Sequence, residues 1–599
     1  MKKLLLLLLF LLPLITYSQA SLKYEMRGAW VATVLGLDWP IAGASPASQQ
    51  AALRTMFDNL KAAGVNAVFF QVRSESDAMY KSALEPWSIY LTGQQGKAPS
   101  PEWDPLEFAI IEAHKRGMEL HAWFNPYRVI RDNAGTYAKA VNHISVKKPE
   151  WMLKVGNVTI LDPGIPDARN YIIQVAMDIV NRYDVDGIHY DDYFYPYSGM
   201  NNEDLNTFTT YGSGFRAIDE WRRYNINEFV KKLGEQVRIA KPWVKYGVSP
   251  FGIWKSGVPV GITGLSAYST IFADAVTWME LKWIDYLSPQ LYWAFGGGQD
   301  YAKLAPWWKS VMNGVHLYPG LGAYRADSGT AGSGTVYKAD EVPRQLRFNR
   351  ANGIPGSLLF RANNIDGTRT TQGLADSLRL KINKSPALTP LMDFKAKVIP
   401  PAPINLTYFW DNDTIQLFWG KPAPVAGQQD VYRFAVYRTQ SVAEPDMQTV
   451  ISDPKNLLTV TPLFTLRDRP TKSSTPYWYF VTSIGGNSIE STQKTMIAAI
   501  EGKAVSNTNE VPTAFRMGDV YPNPFYNEIS LALTLDRASR VRITLVNTLG
   551  QTVALIADTV MDAGTQNVEW EADQLPNGVY LLVAETEGYR ETKKVIRNH

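Results

Sequence analysis

Two adjacent carboxylates, Asp191 and Asp192, end a short apolar run in the stretch DVDGIHYDDYFYP, residues 184–196. Because a β-strand points successive side chains to opposite faces, Asp191 shares a face with His189 and Asp192 lies on the other face. A buried carboxylate is costly unless it is paired or used in chemistry. Two carboxyl groups this close tend to separate their proton affinities, which suits an acid beside a base. Cleavage of a glycosidic bond needs such a pair, so Asp191 is the first catalytic candidate and Asp192 follows it.

Two further acids, Glu75 and Asp77, stand in the sequence RSESDA directly after another strand-like run. Either could face Asp191 across a pocket and supply the second carboxylate. Alternatively, both acids only cap the loop in which they lie. We therefore predict four candidate catalytic residues, which are Asp191, Asp192, Asp77 and Glu75.

Eight strand-like runs occur before residue 370, and helical patterns separate several of them. Repeated strand–helix units predict a parallel sheet, and eight units over residues 21–383 predict a (β/α)8 TIM-type barrel with long loop insertions. An open, doubly wound sheet is the alternative, but no Gly-rich phosphate-binding fingerprint supports it. The predicted strands are Arg27–Val34, Ala67–Arg73, Glu119–Arg128, Gly187–Phe194, Tyr246–Gly252, Tyr286–Trp293, Leu317–Tyr324 and Gly356–Asn363. The clearest predicted helices are Gln49–Gly64, Leu106–Gly117, Ala168–Tyr183 and Ile226–Ile239.

Polar and aromatic side chains collect toward the ends of these strands. In the third run, His121, Trp123 and Asn125 share one face and oppose an apolar face. A purely structural barrel fills its interior with branched apolar side chains, and barrel enzymes place their sites at the carboxyl ends of the strands. The pattern predicts an aromatic-lined sugar pocket, although these groups could instead form a buried network and each ring could belong to the core. The candidate substrate-binding residues are Arg27, Gln71, Arg73, His121, Trp123, Asn125, Tyr127, His189, Tyr193, Gln290, Tyr292, Trp293 and Arg361.

Several other chemistries lack their usual residues. The chain has no cysteine, only six histidines and no HExxH motif, so we expect no metal site. It also lacks a G-x-S-x-G nucleophile elbow and a Gly-rich loop ending in Lys and Ser or Thr. A net charge of +3 over 599 residues gives no reason to expect nucleic acid. We predict a hydrolase that needs no cofactor.

The rest of the chain divides into several segments of different composition. Residues 1–20 have a basic start, an apolar run and a small-x-small end, which predict a secretory signal peptide. No later segment is apolar enough to span a membrane, so we expect an exported protein without a transmembrane anchor. Short alternating runs then predict two small all-β sandwich domains. The predicted segments are a Pro-rich linker at 384–403, a sandwich at 404–501, a linker at 502–514 and a second sandwich at 515–599.

Three resemblances rest on particular motifs. Trp419 and the run Tyr479–Ser483 resemble a fibronectin type III module. The motif order from Val520–Phe525 through Leu575–Leu581 resembles the C-terminal sorting domain of the type IX secretion system. Most of residues 22–382 resembles the glycosyl hydrolase-like 10 domain family. The segments that carry this last resemblance are MRGAWV at 26–31, FQVR at 70–73, HKRGMELHAWFNPYR at 114–128, DGIHYDDY at 186–193 and SPQLYW at 288–293.

These resemblances imply a function and a route. The barrel family implies a (β/α)8 glycosidase, with at least one enterobacterial member implicated in cleaving peptidoglycan strands stripped of peptides. It implies paired aspartates at Asp191 and Asp192, and pocket groups at Arg27, Gln71, Arg73, His121, Asn125 and Gln290. One departure is the segment SESD at 74–77, where the family pattern has a glycine before Asp77; this leaves the role of Glu75 open.

The sorting domain implies periplasmic transit, engagement of the type IX secretion machinery and release from, or attachment to, the cell surface. An exported glycoside hydrolase is therefore the main hypothesis. A non-catalytic glycan-binding surface protein is the alternative. A metal-dependent polysaccharide deacetylase would need an Asp/His/His arrangement that the sequence does not show.

Overall fold

The structure of the chain is a computed structural model that describes residues 22–597, with short gaps. The residues left out between these limits are 136, 327–335, 370, 396–397, 412, 472, 493–494, 500–514, 524, 536, 548–550, 573–574 and 587–588. The predicted signal peptide at 1–20 and the predicted linker at 502–514 lie outside the described residues.

Eight strand–helix units follow one another in the first part of the chain, as predicted. The strands are β1 Met26–Val31, β2 Ala67–Arg73, β3 Glu119–Phe124, β4 Gly187–Tyr190, β5 Lys245–Val248, β6 Tyr286–Leu287, β7 in two halves at His316–Leu317 and Gly320–Leu321, and β8 Gly356–Leu359. The helices are α1 Pro46–Ala62, α2 Pro105–His114, α3 Pro166–Arg182, α4 Ile218–Ala240, α5 Ala275–Glu280, α6 Tyr301–Ser310, α7 Glu341–Ala351 and α8, which runs from Leu374–Ser377 into Leu378–Ile382.

The parallel strands close into a barrel through the divided strand β7. Neighbouring strands follow the order β6, β5, β4, β3, β2, β1, β8. The first half of β7 pairs with β6, where His316 lies opposite Tyr286, and the second half pairs with β8, where Gly320 lies opposite Leu358. Each half of one strand therefore completes a different edge, and the predicted (β/α)8 barrel is confirmed. The single predicted strand Leu317–Tyr324 is interrupted because the chain changes partner within it.

Alternation along the strands separates two apolar layers. Outward-facing residues such as Val68 and Ile188 pack against the helices in one large cluster. Inward-facing residues such as Trp30, Phe69 and Tyr286 form a separate, mostly aromatic cluster inside the barrel. The helix ends follow local signals: Ser45 caps α1, Asp104 caps α2, and proline opens both helices.

The third predicted strand is shorter than expected because the chain leaves the barrel after Phe124. It forms a small antiparallel sheet of Arg128–Ile130, Met152–Val155 and Val158–Leu161 before α3 begins. This excursion lies beside the loop that follows β2, because the Arg131 amide donates to the Glu75 carboxylate at 2.8 Å. Further short helices lie at Ile89–Thr92, Ile144–Lys147, Leu205–Tyr211 and Ala267–Thr270.

The Pro-rich segment 384–403, predicted as a linker, packs across the amino-terminal end of the barrel. Leu388 and Thr389 are fully buried, and Met392 joins the apolar cluster inside the barrel. Lys395 places its ammonium 2.6 Å from Asp285 and donates to the Val244 carbonyl at 2.8 Å. Proline content predicted an extended backbone, but the apolar and charged residues between the prolines hold this segment against the barrel.

Two antiparallel β-sandwiches follow. The first has strands Ile404–Asp411, Thr414–Gly420, Arg433–Gln440, Leu457–Thr461, Thr465–Asp468, Tyr477–Ile484 and Met496–Ala499, arranged as sheets of three and four strands, with a helix at Met447–Ser452. The second has strands Phe515–Tyr521, Glu528–Leu535, Ser539–Asn547, Thr552–Met561, Gly564–Glu571, Gly578–Thr586 and Tyr589–Arg597, again as three and four. The prediction of two all-β sandwiches after the barrel is confirmed.

The first sandwich contacts the amino-terminal end of the barrel through buried charges. Arg433 reaches the inward-facing carboxylate of Glu119 at 2.8 Å, and Lys245 reaches the same carboxylate at 2.7 Å. Tyr432 stacks on His114 with ring centroids 3.9 Å apart and donates to Asp186 at 2.8 Å. The base of the barrel is therefore completed by residues of the next domain.

Candidate active site

Asp191 lies directly after β4, at the carboxyl end of the barrel. Its Oδ2 accepts hydrogen bonds from two inward-facing side chains at the end of β3, Trp123 Nε1 at 3.0 Å and Asn125 Nδ2. Among the described residues, the hydrogen bond that its Oδ1 accepts is a long one from the Tyr193 amide at 3.3 Å. Burial raises the pKa of Asp191 well above its usual value, and the charge of Asp192 adds to this effect. Asp191 is therefore the carboxyl group of the pair that holds a proton more readily, and Oδ1 is the oxygen best placed to carry it.

Asp192 points toward the opposite wall of the same end. Its Oδ1 accepts a hydrogen bond from the Tyr197 hydroxyl at 2.7 Å, and the side chain of Gln290 also donates to the carboxylate. Burial raises the pKa of Asp192 to about 6, although these hydrogen bonds favour the charged form. At neutral pH most of Asp192 is ionised, beside an Asp191 whose pKa is raised well above its usual value. The pair thus provides one acid and one carboxylate within adjacent residues.

The loop after β2 holds the other two acids. The Glu75 carboxylate accepts hydrogen bonds from the Tyr90 hydroxyl at 2.5 Å and from the Arg131 amide at 2.8 Å. Asp77 accepts from the Ser74 hydroxyl at 3.3 Å and the Glu75 amide at 3.2 Å, while its other oxygen is buried without a partner among the described residues. Asp77 thus caps its own loop, as the alternative reading allowed.

One arginine links this loop to the acid pair. The guanidinium of Arg128 lies 4.2 Å from the ring centre of Tyr193, and its Nε donates to the Ser74 carbonyl at 2.9 Å. Burial opposes the charge of Arg128, yet the negative potential of Tyr193, Asp191 and Glu75 raises its pKa. Glu75 and Asp191 therefore share a cationic neighbour, which places them on the same side of the barrel.

A partly exposed set of aromatic and polar groups surrounds the two acids, which are only 4% and 2% exposed. Tyr193 stacks on Tyr197 with centroids 5.0 Å apart, and Tyr292 stacks on Phe360 at 5.6 Å. The charges of both aspartates contribute to raising the pKa of Tyr292 above its usual value, after burial and Tyr324. The acids thus form the base of a site whose rim carries tyrosines.

Below the acids, a chain of hydrogen bonds crosses the barrel interior. Trp30 Nε1 donates to His189 Nε2 at 3.1 Å, and His189 Nδ1 lies 3.1 Å from the Tyr286 hydroxyl. That hydroxyl lies 2.9 Å from His121 Nδ1, and His121 Nε2 lies 3.2 Å from the Glu119 carboxylate. Every member is buried.

This chain admits one assignment of protons. A tryptophan N–H can only donate, so His189 Nε2 carries no proton and His189 is neutral with its proton on Nδ1. Tyr286 then accepts from His189 and donates to His121 Nδ1, which leaves the His121 proton on Nε2 to donate to Glu119. Burial also lowers the pKa of both histidines, in agreement with neutral rings. The two histidine rings beneath the site are therefore uncharged, and Glu119 at the far end of the chain is the charged member.

We expect the Tyr286→Phe substitution to break this chain. His189 Nδ1 would lose its acceptor and His121 its donor, and an unpaired buried donor costs about 1–3 kcal/mol. The free energy of unfolding of the barrel, followed by urea titration with tryptophan fluorescence, should fall by this amount. Tyr211→Phe, at a half-exposed tyrosine, should change it by less than about 0.5 kcal/mol. Equal stability of wild type and Tyr286→Phe would contradict the proton assignment.

The structure brings together most of the predicted site residues at one end of the barrel. Gln71 faces inward, donates to Asn125 Oδ1 at 2.5 Å and accepts from the Thr33 amide at 2.8 Å. Gln290 also donates to the Ser249 carbonyl at 3.1 Å. Arg361 pairs with Asp38 at 3.1 Å. The members of this group are Asp191, Asp192, Glu75, Asp77, Gln71, Trp123, Asn125, Tyr193, Gln290, Tyr292 and Arg361.

Other predicted residues lie elsewhere. Arg27 begins β1 at the amino-terminal end, where it contacts Glu25 at 2.6 Å and the Ser385 carbonyl at 2.7 Å, so its placement in the pocket is wrong. Tyr127 is fully buried against Phe229 on the helix side of the barrel. Its ring therefore belongs to the core.

Position along a strand accounts for the remaining differences. His121 and His189 face inward but lie two residues before Trp123 and Asp191, respectively, so they belong to the buried support. Arg73 is fully buried and holds Glu85 at 2.8 Å and the Asn125 carbonyl at 2.7 Å. It positions a loop rather than lining a pocket. Trp293 is half-buried and packs against the outer apolar cluster.

The sequence is similar to a known protein family and to individual proteins. The sequence matches the family model described as Glycosyl hydrolase-like 10 over residues 25–334. This chain belongs to the glycosyl hydrolase-like 10 family. Glycosyl hydrolase YngK of Bacillus subtilis (strain 168) is 36% identical over 437 residues, covering 71% of this chain and 84% of YngK. Glycosyl hydrolase DigH of Escherichia coli (strain K12) is 36% identical over 396 residues, covering 61% of this chain and 88% of DigH.

A solved structure also aligns with this member of the glycosyl hydrolase-like 10 family. The catalytic domain of beta-amylase from Paenibacillus polymyxa is 13% identical, with a TM-score of 0.39, and covers 61% of this chain and 99% of that one.

A second family model, the Secretion system C-terminal sorting domain, matches residues 519–598. The predicted sorting domain is therefore confirmed, and it directs this family member to the outer membrane or the cell surface. Within the described residues, helices are all too short or too polar to cross a membrane. Within the same residues, no cluster of three or more His, Asp or Glu side chains is arranged to hold a metal ion.

Sequence reasoning missed several residues of this site. Tyr197 and Arg128 bind or flank the acids, and Trp30, Tyr286 and Glu119 build the support. Strand alternation could have identified the three support residues. Each of them is a direct sequence neighbour of an outward-facing apolar residue in β1, β3 or β6, so its own side chain must face inward. Arg128 lies four residues past the end of β3 and beyond Pro126, where the alternation of the barrel strand gives no signal.

Proposed function

We propose that this protein is an exported glycoside hydrolase that cleaves glycosidic bonds of a glycan chain, with Asp191 as the proton donor. The observation that carries the proposal is a carboxyl group with a strongly raised pKa at the carboxyl end of a barrel strand, beside a carboxylate with a pKa of about 6. A glycosidic oxygen leaves readily only when it is protonated, and a second carboxylate must activate water or attack the sugar. The adjacent pair supplies both protonation states.

The residues around the acids divide the work. Trp123 and Asn125 hold Asp191 Oδ2, which leaves Oδ1 free of β3 to carry the proton that the reaction needs. Tyr197 and Gln290 hold Asp192 in its ionised form. The tyrosines at the rim present ring faces on which sugar rings can stack. Glu75 is the second candidate for the ionised partner, because Arg128 lies between it and Asp191.

Release of new reducing ends is the test of this function. Peptide-free peptidoglycan strands are the first substrate to offer, because the barrel resembles a family with a member implicated in that reaction; neutral polysaccharides form the comparison set. Cleavage of any of them by the wild-type protein supports a hydrolase. Binding without release, for every glycan offered, would leave the non-catalytic glycan-binding protein as the function.

The pair also predicts a bell-shaped dependence of kcat/KM on pH. Activity should rise as pH increases through about 6, because Asp192 ionises there. It should fall again at higher pH as Asp191 loses its proton, since the pKa of Asp191 is raised well above its usual value. Initial rates of reducing-end release measured across a pH series give both limbs.

Asp192→Asn should remove the acidic limb, whereas Glu75→Gln should leave it in place. The reverse result would transfer the role of ionised partner to Glu75. The two buried histidines should contribute no limb, because neither titrates in the hydrogen-bonded chain.

A further inference from the structure

Three basic side chains of the excursion after β3 have buried nitrogens with no acceptor among the described residues. These nitrogens are Arg128 Nη2, Arg131 Nε and Lys139 Nζ. Buried polar groups are almost always hydrogen-bonded, and charged ones carry the largest penalty when they are not. Three such donors within twelve residues of sequence indicate a site for an anionic group.

The three basic groups lie together around the loop after β2. Arg128 interacts electrostatically with Asp191 and Glu75, and the Arg131 amide donates to Glu75 at 2.8 Å. The charges of Glu75 and Asp77 act on Lys139, whose pKa burial nevertheless lowers. These contacts define a basic strip that runs from the Asp191 side chain outward to Lys139.

Aromatic rings accompany the two ends of the basic strip. Arg128 lies 4.2 Å from the ring centre of Tyr193, and Lys139 lies 3.6 Å from that of Tyr137. The three basic groups of the strip lie beside the acids Glu75 and Asp77, which leave the buried nitrogens named above without an acceptor among the described residues. The aromatic rings can stack on a sugar, and the neighbouring donors need an acceptor. This combination suits the binding of an acidic saccharide.

Resting on the proposed hydrolase activity, we propose that the basic strip is a subsite for a sugar that bears a carboxylate, next to the bond that Asp191 protonates. The Arg128 fork suits a planar carboxylate, and Lys139 supplies a point charge at the outer end. Two kinds of glycan carry this group: polysaccharides with uronic acids, and peptide-free peptidoglycan with its lactyl ether carboxylates.

The test compares each glycan with its own carboxyl-reduced form. Oligogalacturonate and peptide-free peptidoglycan strands are reduced chemically to the corresponding alcohols, which keeps the sugar backbone. Binding is measured by titration calorimetry on the mature protein with Asp191→Asn, so that bound glycan is not cleaved. We expect about tenfold or greater preference for the carboxylated form of one glycan, since a hydrogen bond to a charged group contributes about 1.5–3 kcal/mol. The glycan that shows this preference identifies the source of the carboxylate.

Lys139→Met should remove most of the preference and leave the affinity for the reduced glycan unchanged. Arg131→Gln serves as a second variant with the same expectation. Lys148→Met is the matched control, because Lys148 is half-exposed in the same excursion and pairs only with Glu150 among the described acids. It should keep the full preference.

Equal affinity for carboxylated and reduced forms of both glycans would overturn the proposed subsite. So would a loss in Lys139→Met that is the same for both forms. These outcomes are separate from the fate of the hydrolase proposal. A wild-type protein that prefers acidic glycans but releases no reducing ends keeps the subsite and loses the activity, whereas cleavage without preference does the opposite.

Discussion

Asp191→Asn is expected to lower kcat for glycan cleavage by about 10²–10⁴-fold, the contribution of a positioned general acid. The amide keeps the size of the side chain, and its oxygen can still accept the hydrogen bond from Trp123 Nε1. It has no proton to give a leaving oxygen at neutral pH. Substrate binding should therefore persist while turnover is lost. Rates of reducing-end release and equilibrium binding, measured on the same glycan, give the two quantities separately.

Asp184→Asn is the matched control for this substitution. Asp184 precedes β4 by three residues and lies at the opposite end of the barrel, near His114 and with about half of its side chain exposed. The same chemical change there should leave kcat within about a factor of two, since surface substitutions rarely shift more than about 0.5 kcal/mol. Retained cleavage in Asp191→Asn would reject Asp191 as the acid and leave the hydrolase reading without its central residue.

Arg433→Met is expected to destabilise the barrel by about 3–5 kcal/mol, the usual cost of removing one partner from a buried ion pair. Arg433 comes from the first sandwich, and its guanidinium and Glu119 are both 2% exposed or less. Burial opposes the charge of Glu119, but Lys245 and Arg433 hold its pKa well below the usual value. Without Arg433, one carboxylate with a single cationic partner would remain buried. The urea midpoint of the barrel transition, followed by tryptophan fluorescence, measures the loss.

Lys421→Met provides the comparison at the surface. Lys421 and Asp430 form an exposed pair 2.5 Å apart in the same sandwich. Exposed pairs contribute about 0–1 kcal/mol, so this variant should remain near wild type. A loss in Arg433→Met no larger than that in Lys421→Met would show that the interdomain ion pair adds nothing to stability.

The sequence predicted the barrel and the location of the acid pair because both depend on local patterns. Alternation along β3 and β4 identifies which side chains face inward, and strand order places the ends of β3 and β4 next to each other. Alternation does not show how far along the barrel axis an inward-facing side chain lies. The sequence therefore predicts a pocket position for His121, which lies below the pocket, and for Arg27, which is only the second residue of β1 and lies at the other end of the barrel.

Long-range partners could not be predicted from the sequence in the same way. Glu119 and Arg433 are 314 residues apart in the sequence. The local pattern around either residue contains no information about the other. The segment around Met392 looked like a linker because its prolines dominate its composition. This segment is buried because it covers the amino-terminal end of the barrel. That end exists only once the sheet has closed, so the local sequence does not reveal it.

The division of β7 bears on where the barrel can open. Its two halves pair with β6 and β8 through only two residues each, as few as β5 and β6 share and fewer than any pairing among β1, β2, β3 and β4. Tyr292 and Phe360, which form part of the rim, extend from the two strands that β7 joins. A small parting there would widen the mouth on the side of Asp192 while the wall formed by β2, β3 and β4 stays fixed.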